Sequence, residues 1–215
     1  MTIPSSHRFA VLVPVKPPAF AKSRLGDLGD AVRRDLATAF AVDTVTAALA
    51  CPSVERVLVV TDDHELAAGL VDLGVDVLPD GAVDDLNGTL RLAAAEMHRR
   101  EPTLRLVALC ADVPALRADD LALALDAAAP FGLSFVADAD GVGTTAVVAA
   151  RLDDFTPCFG PGSRQRHLDA GAHEIDSVDV PTLRRDVDDR AALADARRLG
   201  LGRCTSLVVA RLGLG

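Results

Sequence analysis

A chain of 215 residues, 50% hydrophobic and 25% charged, has the composition of a soluble globular protein and can bury a large core within one compact domain spanning residues 1–215. Its net charge of -9 and its lack of Trp and Tyr argue against a nucleic-acid or anionic-membrane binder, because both need a basic surface and single-strand readers also need stacking rings. No apolar run reaches the roughly 18 residues of a membrane span, and the apolar stretch after Arg8 has no cleavage signature, so a cytoplasmic protein is expected.

In chain order, Ala10 to Val15 reads as a buried strand. It runs into a loop that carries Lys16, Lys22 and Arg24 between Pro17-Pro18 and Gly26, with no acidic residue from Phe9 to Leu25. Ala31 to Ala50 reads as a helix, with Val32, Leu36, Phe40 and Val45 near one face. Arg56 to Thr61 is a second strand, and Asp62-Asp63-His64-Glu65 resembles a capping box that opens the next helix. Val75 to Leu78 is a third strand, followed by turn formers from Pro79 to Asp85 and a helix from Leu86 to Arg100. Leu104 to Cys110 is the clearest buried strand, since Leu106 to Ala111 is uninterrupted apolar sequence. Asp112-Val-Pro-Ala turns the chain, and Ala118 to Ala129 reads as a helix. Two further strands, Ser134 to Ala137 and Thr144 to Ala150, flank a Gly141/Gly143 turn. A helix from Ser163 to about Ala170, a strand near Glu174 to Val178, and a helix from Arg190 to Leu199 complete the pattern.

Strand and helix alternating in this way predict an α/β fold, with a doubly wound, mostly parallel sheet and helices on both faces. In such sheets ligands bind at the carboxyl ends of the strands. Lys16, Lys22 and Arg24 follow the first strand, where a phosphate-binding loop would lie, although the same residues also suit a plain solvated loop. The segment is neither a Walker A loop nor G-x-G-x-x-G. Asp112 directly follows the buried run VALCA, as a Mg²⁺ ligand would, or as a turn former would. Of Asp186, Asp188 and Asp189, either Asp188 or Asp189 is expected to cap the helix that follows, leaving Asp186 for a second metal ligand if it lies close to Asp112. Phe159-Gly-Pro-Gly-Ser163 opens a helix, and Ser163 as its N-cap among free backbone N–H groups would make an anion site or an ordinary cap. Cys51, Cys110, Cys158 and Cys204 are scattered singly with no zinc spacing, and the five histidines supply no base for a catalytic thiol.

VPVKPPAFAKSRL, LCADVPAL, GVGTTAVV, CFGPGSRQRHLDAGA and LRRDVDD, in that order, resemble the guanylyltransferases that make the precursor of the deazaflavin coenzyme F-420. The similarity spans nearly the whole chain. It is strongest to the phosphoenolpyruvate guanylyltransferases of actinobacteria, whose relatives use 2-phospholactate or 3-phosphoglycerate. The resemblance implies a Rossmann-like nucleotidyltransferase sheet of the GT-A type and transfer of GMP from GTP to a phosphorylated acid. It implies Mg²⁺ on Asp112 and Asp186, phosphoenolpyruvate contacts at Thr145, Gly160 and Ser163, and triphosphate binding by Lys16, Lys22 and Arg24. Asn87, in Asp-Leu-Asn-Gly, matches a Leu-Asn pair near the nucleotide. Thr144 and Thr145 compete for one contact, and Thr145 is assigned because it directly precedes the matching Ala-Val. The partners so implied are GTP, phosphoenolpyruvate or a related phosphorylated acid, and the next enzyme of the pathway. On the residues alone, three other readings stay open: a nucleotidyltransferase with another phosphorylated acceptor, a nucleotide-sugar glycosyltransferase, or a nucleotide-binding module without catalysis.

Overall fold

The structure, a computed structural model, describes residues 7–15, 29–82 and 85–213. Its strands are β1 (Phe9–Pro14), β2 (Val54–Val60), β3 (Asp76–Leu78), β4 (Arg105–Leu109), β5 (Leu133–Ala137), β6 (Thr144–Ala149) and β7 (His173–Glu174). They form one seven-stranded sheet in the order β3-β2-β1-β4-β6-β5-β7. All neighbours run parallel except β6, which is antiparallel to both β4 and β5. That reversal brings the start of β6 to the edge where β4 ends: Leu109 faces Ala146, and Cys110 N–H donates to Thr145 O at 2.8 Å.

Alternation along β1 sends Phe9, Val11 and Val13 to one face and Ala10 and Leu12 to the other. Helices α1 (Asp30–Ala50), α2 (His64–Val71) and α4 (Ala118–Ala128) cover the first face, burying Val45, Leu70 and Leu125 against it. The second face is covered by α3 (Leu86–Arg100), through Leu90 and Met97, and by α5 (Ser163–Asp169), through Leu168. Burial on both sides explains why β1 and β4 read as continuous apolar runs rather than alternating ones. Among the described residues no helix is long and apolar enough to cross a membrane.

The chain then forms α6 (Pro181–Arg184), α7 (Arg190–Leu199) and α8 (Arg203–Arg211). A third cluster joins Leu36 and Phe40 of α1 to Val187, to Leu193 and Ala196 of α7, and to Val209 of α8. Helix α8 was not expected from the sequence. Its first turn is held by Asp43, a buried carboxylate on α1 that accepts from Cys204 N–H at 2.9 Å and Thr205 N–H at 2.7 Å. Gly202 permits this approach, since a Cβ there would stand 2.3 Å from the Asp43 carboxyl carbon.

One local expectation is made definite and another is corrected. The cap of α2 is Asp63, which accepts from Glu65 N–H and Leu66 N–H, while Asp62 accepts from Asp80 N–H at 2.9 Å. The last strand is shorter than Glu174 to Val178, because the chain leaves the sheet once Ile175 O accepts from the Arg184 guanidinium at 2.6 Å.

Candidate functional site

A cleft opens at the carboxyl edge of the sheet. Pro14 and Val15 at the end of β1, Ala111 and Asp112 after β4, Leu86 of α3, and Phe159 line it. Val15 is the residue before Lys16; Lys16, Lys22 and Arg24 themselves lie outside the described residues.

Asp112 and Asp186 are brought into neighbouring segments. Val187 N–H donates to Asp112 O at 2.9 Å, so the residue after Asp186 is tied to the main chain of Asp112. The tie forms because Val187 is completely buried against Leu36 and Phe40, which draws the acidic segment under the end of β4. Asp189 caps α7, accepting from Ala192 N–H at 2.8 Å, and so takes the capping role expected of Asp188 or Asp189. Two carboxylates are hard oxygen donors of the kind that suit Mg²⁺, an ion that keeps several waters and takes its remaining ligands from substrate phosphates. Among the described residues no group of three or more His, Cys, Asp or Glu side chains forms an all-protein metal cage. The chemistry of two carboxylates suits a cation that takes its remaining ligands from water and phosphate oxygens.

Asn87 lies in the first turn of α3, behind the cap Asp85, which accepts from Gly88 N–H at 2.8 Å. Its side chain reaches the loop before α5. The amide nitrogen donates to Phe159 O at 3.1 Å, and Phe159 N–H donates to the amide oxygen at 2.8 Å.

Thr144 and Thr145 sit at a break in register, since Val136 pairs with Ala146 and Ala137 with Thr144. Such a bulge re-aims side chains and is common beside active sites. Thr145 is buried, and its hydroxyl donates to Val136 O at 3.5 Å. The Thr144 hydroxyl meets His167 Nδ1 at 3.0 Å. Ser163, expected as the cap of α5, is instead its first helical residue and is buried; Gly162, at φ 67°, stands at the cap. Gly160 has φ 117°, a backbone conformation that favours glycine, and a Cβ there would stand 2.8 Å from the tip of the Arg166 guanidinium.

His167 is the residue the sequence reading passed over. It lies one helical turn beyond Ser163 on the buried face of α5, a spacing that could have flagged it. Its Nε2 accepts from Cys158 N–H at 2.9 Å. Nδ1 must then carry the proton and donate to Thr144. Its ring stacks on Phe135 and meets Phe159 edge-on. Burial, helped by the Arg166 cation and opposed by a hydrogen bond to the Ser163 backbone, pushes the His167 pKa down from 6.5 to about 4.

Because the folded state resists this protonation while the unfolded chain accepts it, stability is full above pH 6.5 and declines as pH falls toward 4. The loss approaches about 3 kcal/mol at the acid end of that window. Chemical denaturation of the wild type and His167→Gln at pH 7 and pH 4.5 should show a steeper acid loss for the wild type. Equal losses would mean that His167 is protonated in the folded protein.

Residues 9–187 match the protein family described as Guanylyl transferase CofC like. The chain is 48% identical over 210 residues to a phosphoenolpyruvate guanylyltransferase of Streptomyces scabiei, covering 95% of this chain and 97% of that protein. It is 44% identical over 216 residues to a phosphoenolpyruvate guanylyltransferase of Thermomonospora curvata, covering 99% and 95%. A solved nucleotidyl transferase from Methanothermobacter shares the fold, with a TM-score of 0.61 at 18% identity over 91% of this chain and 98% of that one. With most of its length matched and nearly half its residues shared with such relatives, the chain belongs to the CofC-like guanylyl transferase family.

Proposed function

We propose that this protein transfers GMP from GTP to the phosphate of phosphoenolpyruvate and releases pyrophosphate, in a Mg²⁺-dependent step that builds the precursor of coenzyme F-420. The observation that carries the reading is the hydrogen bond from Val187 N–H to Asp112 O, which draws two acidic segments together beside the cleft at the carboxyl edge of the sheet. The names of its relatives supply the nucleotide and the acid.

In this reaction a phosphate oxygen of the acid attacks the α-phosphorus of GTP. The bond from that phosphorus to the α–β bridging oxygen breaks, and pyrophosphate leaves with the electron pair. A phosphate monoester with a second pKa of about 6 is already mostly ionised at pH 7, so the nucleophile needs no general base. That agrees with a site whose buried histidine is neutral and has both ring nitrogens engaged.

The obstacle is repulsion between two polyanions. Two unit charges 4 Å apart repel by about 4 kcal/mol at an effective dielectric of about 20, so several uncompensated pairs would forbid the encounter. Asp112 and Asp186 would hold Mg²⁺, which when bound neutralises and orients phosphate oxygens. Lys16, Lys22 and Arg24 would hold the departing pyrophosphate as charge builds on it. Thr145, Gly160 and Ser163 would position the acid for in-line attack.

Lys22→Ala should raise the KM for GTP by about tenfold, roughly the worth of one charge-assisted contact, and leave that for the acid within about twofold. An unchanged GTP titration would take Lys22 out of the site. The function itself is tested by pyrophosphate release from GTP with phosphoenolpyruvate, 2-phospholactate or 3-phosphoglycerate, with Mg²⁺ or with chelator, and with the next pathway enzyme present to draw off product. Phosphoenolpyruvate should react fastest and chelator should stop the reaction. GTP binding without pyrophosphate from any acid would make the protein a nucleotide-binding module instead.

A further inference from the structure

The loop before α5 is held in an unusual way. Three polar groups of two adjacent residues of its main chain, Cys158 N–H, Phe159 N–H and Phe159 C=O, each bond to a side chain from another element. His167 of α5 takes the first, at 2.9 Å, and Asn87 of α3 takes the other two, at 2.8 and 3.1 Å. Loops usually satisfy such groups with water or with nearby backbone. Here the partner amide is 72 residues away in sequence. The imidazole is also fastened, because its other nitrogen donates to Thr144 at the bulge of β6.

What these bonds position is the next residue. Gly160 is exposed, adopts a backbone angle reserved for glycine, and its N–H has no hydrogen-bond partner among the described residues. The Arg166 guanidinium lies against it and has no ion-pair partner among the described residues, whereas Arg164 on the same helix is paired with Glu174 at 2.8 Å. A backbone donor and a cation side by side suit an anionic group such as a phosphate or carboxylate. Phe159, the residue in the grip of Asn87, is itself a wall of the cleft that Asp112 lines.

We propose that Asn87 and His167 are positioning residues: together they clamp Cys158-Phe159 so that the Gly160 N–H and Arg166 meet the phosphorylated acid already arranged, and Asn87 serves this loop rather than the nucleotide. The inference rests on the function proposed above and deepens it. Preorganisation of this kind raises affinity by removing the ordering cost from the binding step. Because both side chains hold one segment, loss of either releases it, and loss of both adds little.

The test uses full-length Asn87→Ala, His167→Phe and the double variant. Phenylalanine keeps the ring contacts with Phe135 and Phe159 but cannot accept from Cys158 N–H; His167→Gln, which can, is the conservative control. In the pyrophosphate assay, each single variant should raise the KM for phosphoenolpyruvate about tenfold, and the double variant should be within about threefold of the worse single. His167→Gln should recover most of the loss. The Kd for GTP, measured without the acid, should stay within about twofold of wild type. A GTP affinity that falls as far as the acid's KM rises would make Asn87 a nucleotide contact and overturn the clamp, as would single effects that simply multiply in the double variant. Amide hydrogen exchange decides independently of catalysis. Cys158 and Phe159 should lose protection in both single variants, and unchanged protection overturns the clamp whatever the assay gives. A wild-type protein that releases no pyrophosphate would refute the proposed function instead, and the exchange result would then decide the clamp alone.

Discussion

Asp112→Asn is expected to leave a folded protein whose turnover falls by about 10²- to 10³-fold, the scale seen when one electrostatic stabiliser of a transition state is removed. The fold should survive because the bond that locks this turn uses the main-chain oxygen of Asp112, which asparagine retains, to accept from Val187 N–H at 2.9 Å. The residue lies in a turn at the lip of the cleft rather than in the core. The charge, by contrast, is what a hard cation requires, and an amide oxygen is a much weaker partner for it. Kinetics at limiting Mg²⁺ should separate the variant most sharply from the wild type, and excess Mg²⁺ should recover part of the loss. Wild-type rates at limiting Mg²⁺, with an unaltered melting curve, would remove Asp112 from the mechanism.

Asp43→Ala should be the most destabilising single change outside the central core. Its carboxylate lies between α1 and α8 and takes two backbone N–H groups from the first turn of α8, at 2.9 and 2.7 Å. Those donors are among the orphan groups of any helix start, and a negative charge there also meets the positive end of the helix dipole. Two charge-assisted bonds and a lost cap amount to about 3 kcal/mol. For a chain of this size that corresponds to a fall in Tm of roughly 6 to 12 °C. Asp43→Asn, which keeps one acceptor, should lose about half as much. A scanning melt of the three proteins at pH 7 checks the order, and an alanine variant melting with the wild type would show that α8 is held by its apolar contacts alone.

Much of the fold could be read from periodicity because the two-sided burial of the sheet makes its strands plainly apolar. Helices α3 and α7 begin and end where the sequence places them, at Leu86–Arg100 and Arg190–Leu199, since each starts after an aspartate that does cap it. Helix α8 escaped notice for the opposite reason. Its cap is Asp43, supplied from a helix 161 residues earlier, so no local spacing announces it. The end of the last strand was misjudged because an arginine, not a neighbouring strand, takes the carbonyl of Ile175.

For the site, position along the chain singled out Asp112 and Asp186, and the resemblance pointed to Thr145, Gly160 and Ser163; Asp112 lines the cleft, Thr145 sits at the register break of β6, and Gly160 follows Phe159, which walls the cleft. What stayed hidden was how they are held. The antiparallel turn of β6 that sets Thr145 beside Cys110, the tie from Val187 to Asp112, and the grip of Asn87 and His167 on Cys158-Phe159 all join residues distant in sequence. A lone histidine in a short helix carries no signal of its partners, and nothing in Asp-Leu-Asn-Gly shows that the Asn87 amide bonds to the main chain of Phe159. The basic residues Lys16, Lys22 and Arg24 lie outside the described residues, so their role rests on sequence order and resemblance alone.

The most direct test follows the phosphorus atoms themselves. Phosphorus NMR of the purified protein with GTP, phosphoenolpyruvate and Mg²⁺ should show loss of the GTP triphosphate signals, an equal rise of pyrophosphate, and a new pair of mutually coupled resonances from a bridge joining GMP to the acid's phosphate. The same mixture with Asp112→Asn should stay unchanged over the same time. Appearance of GMP with free phosphoenolpyruvate, or of guanosine diphosphate with inorganic phosphate, would mean that this cleft hydrolyses its nucleotide and does not join the two phosphates.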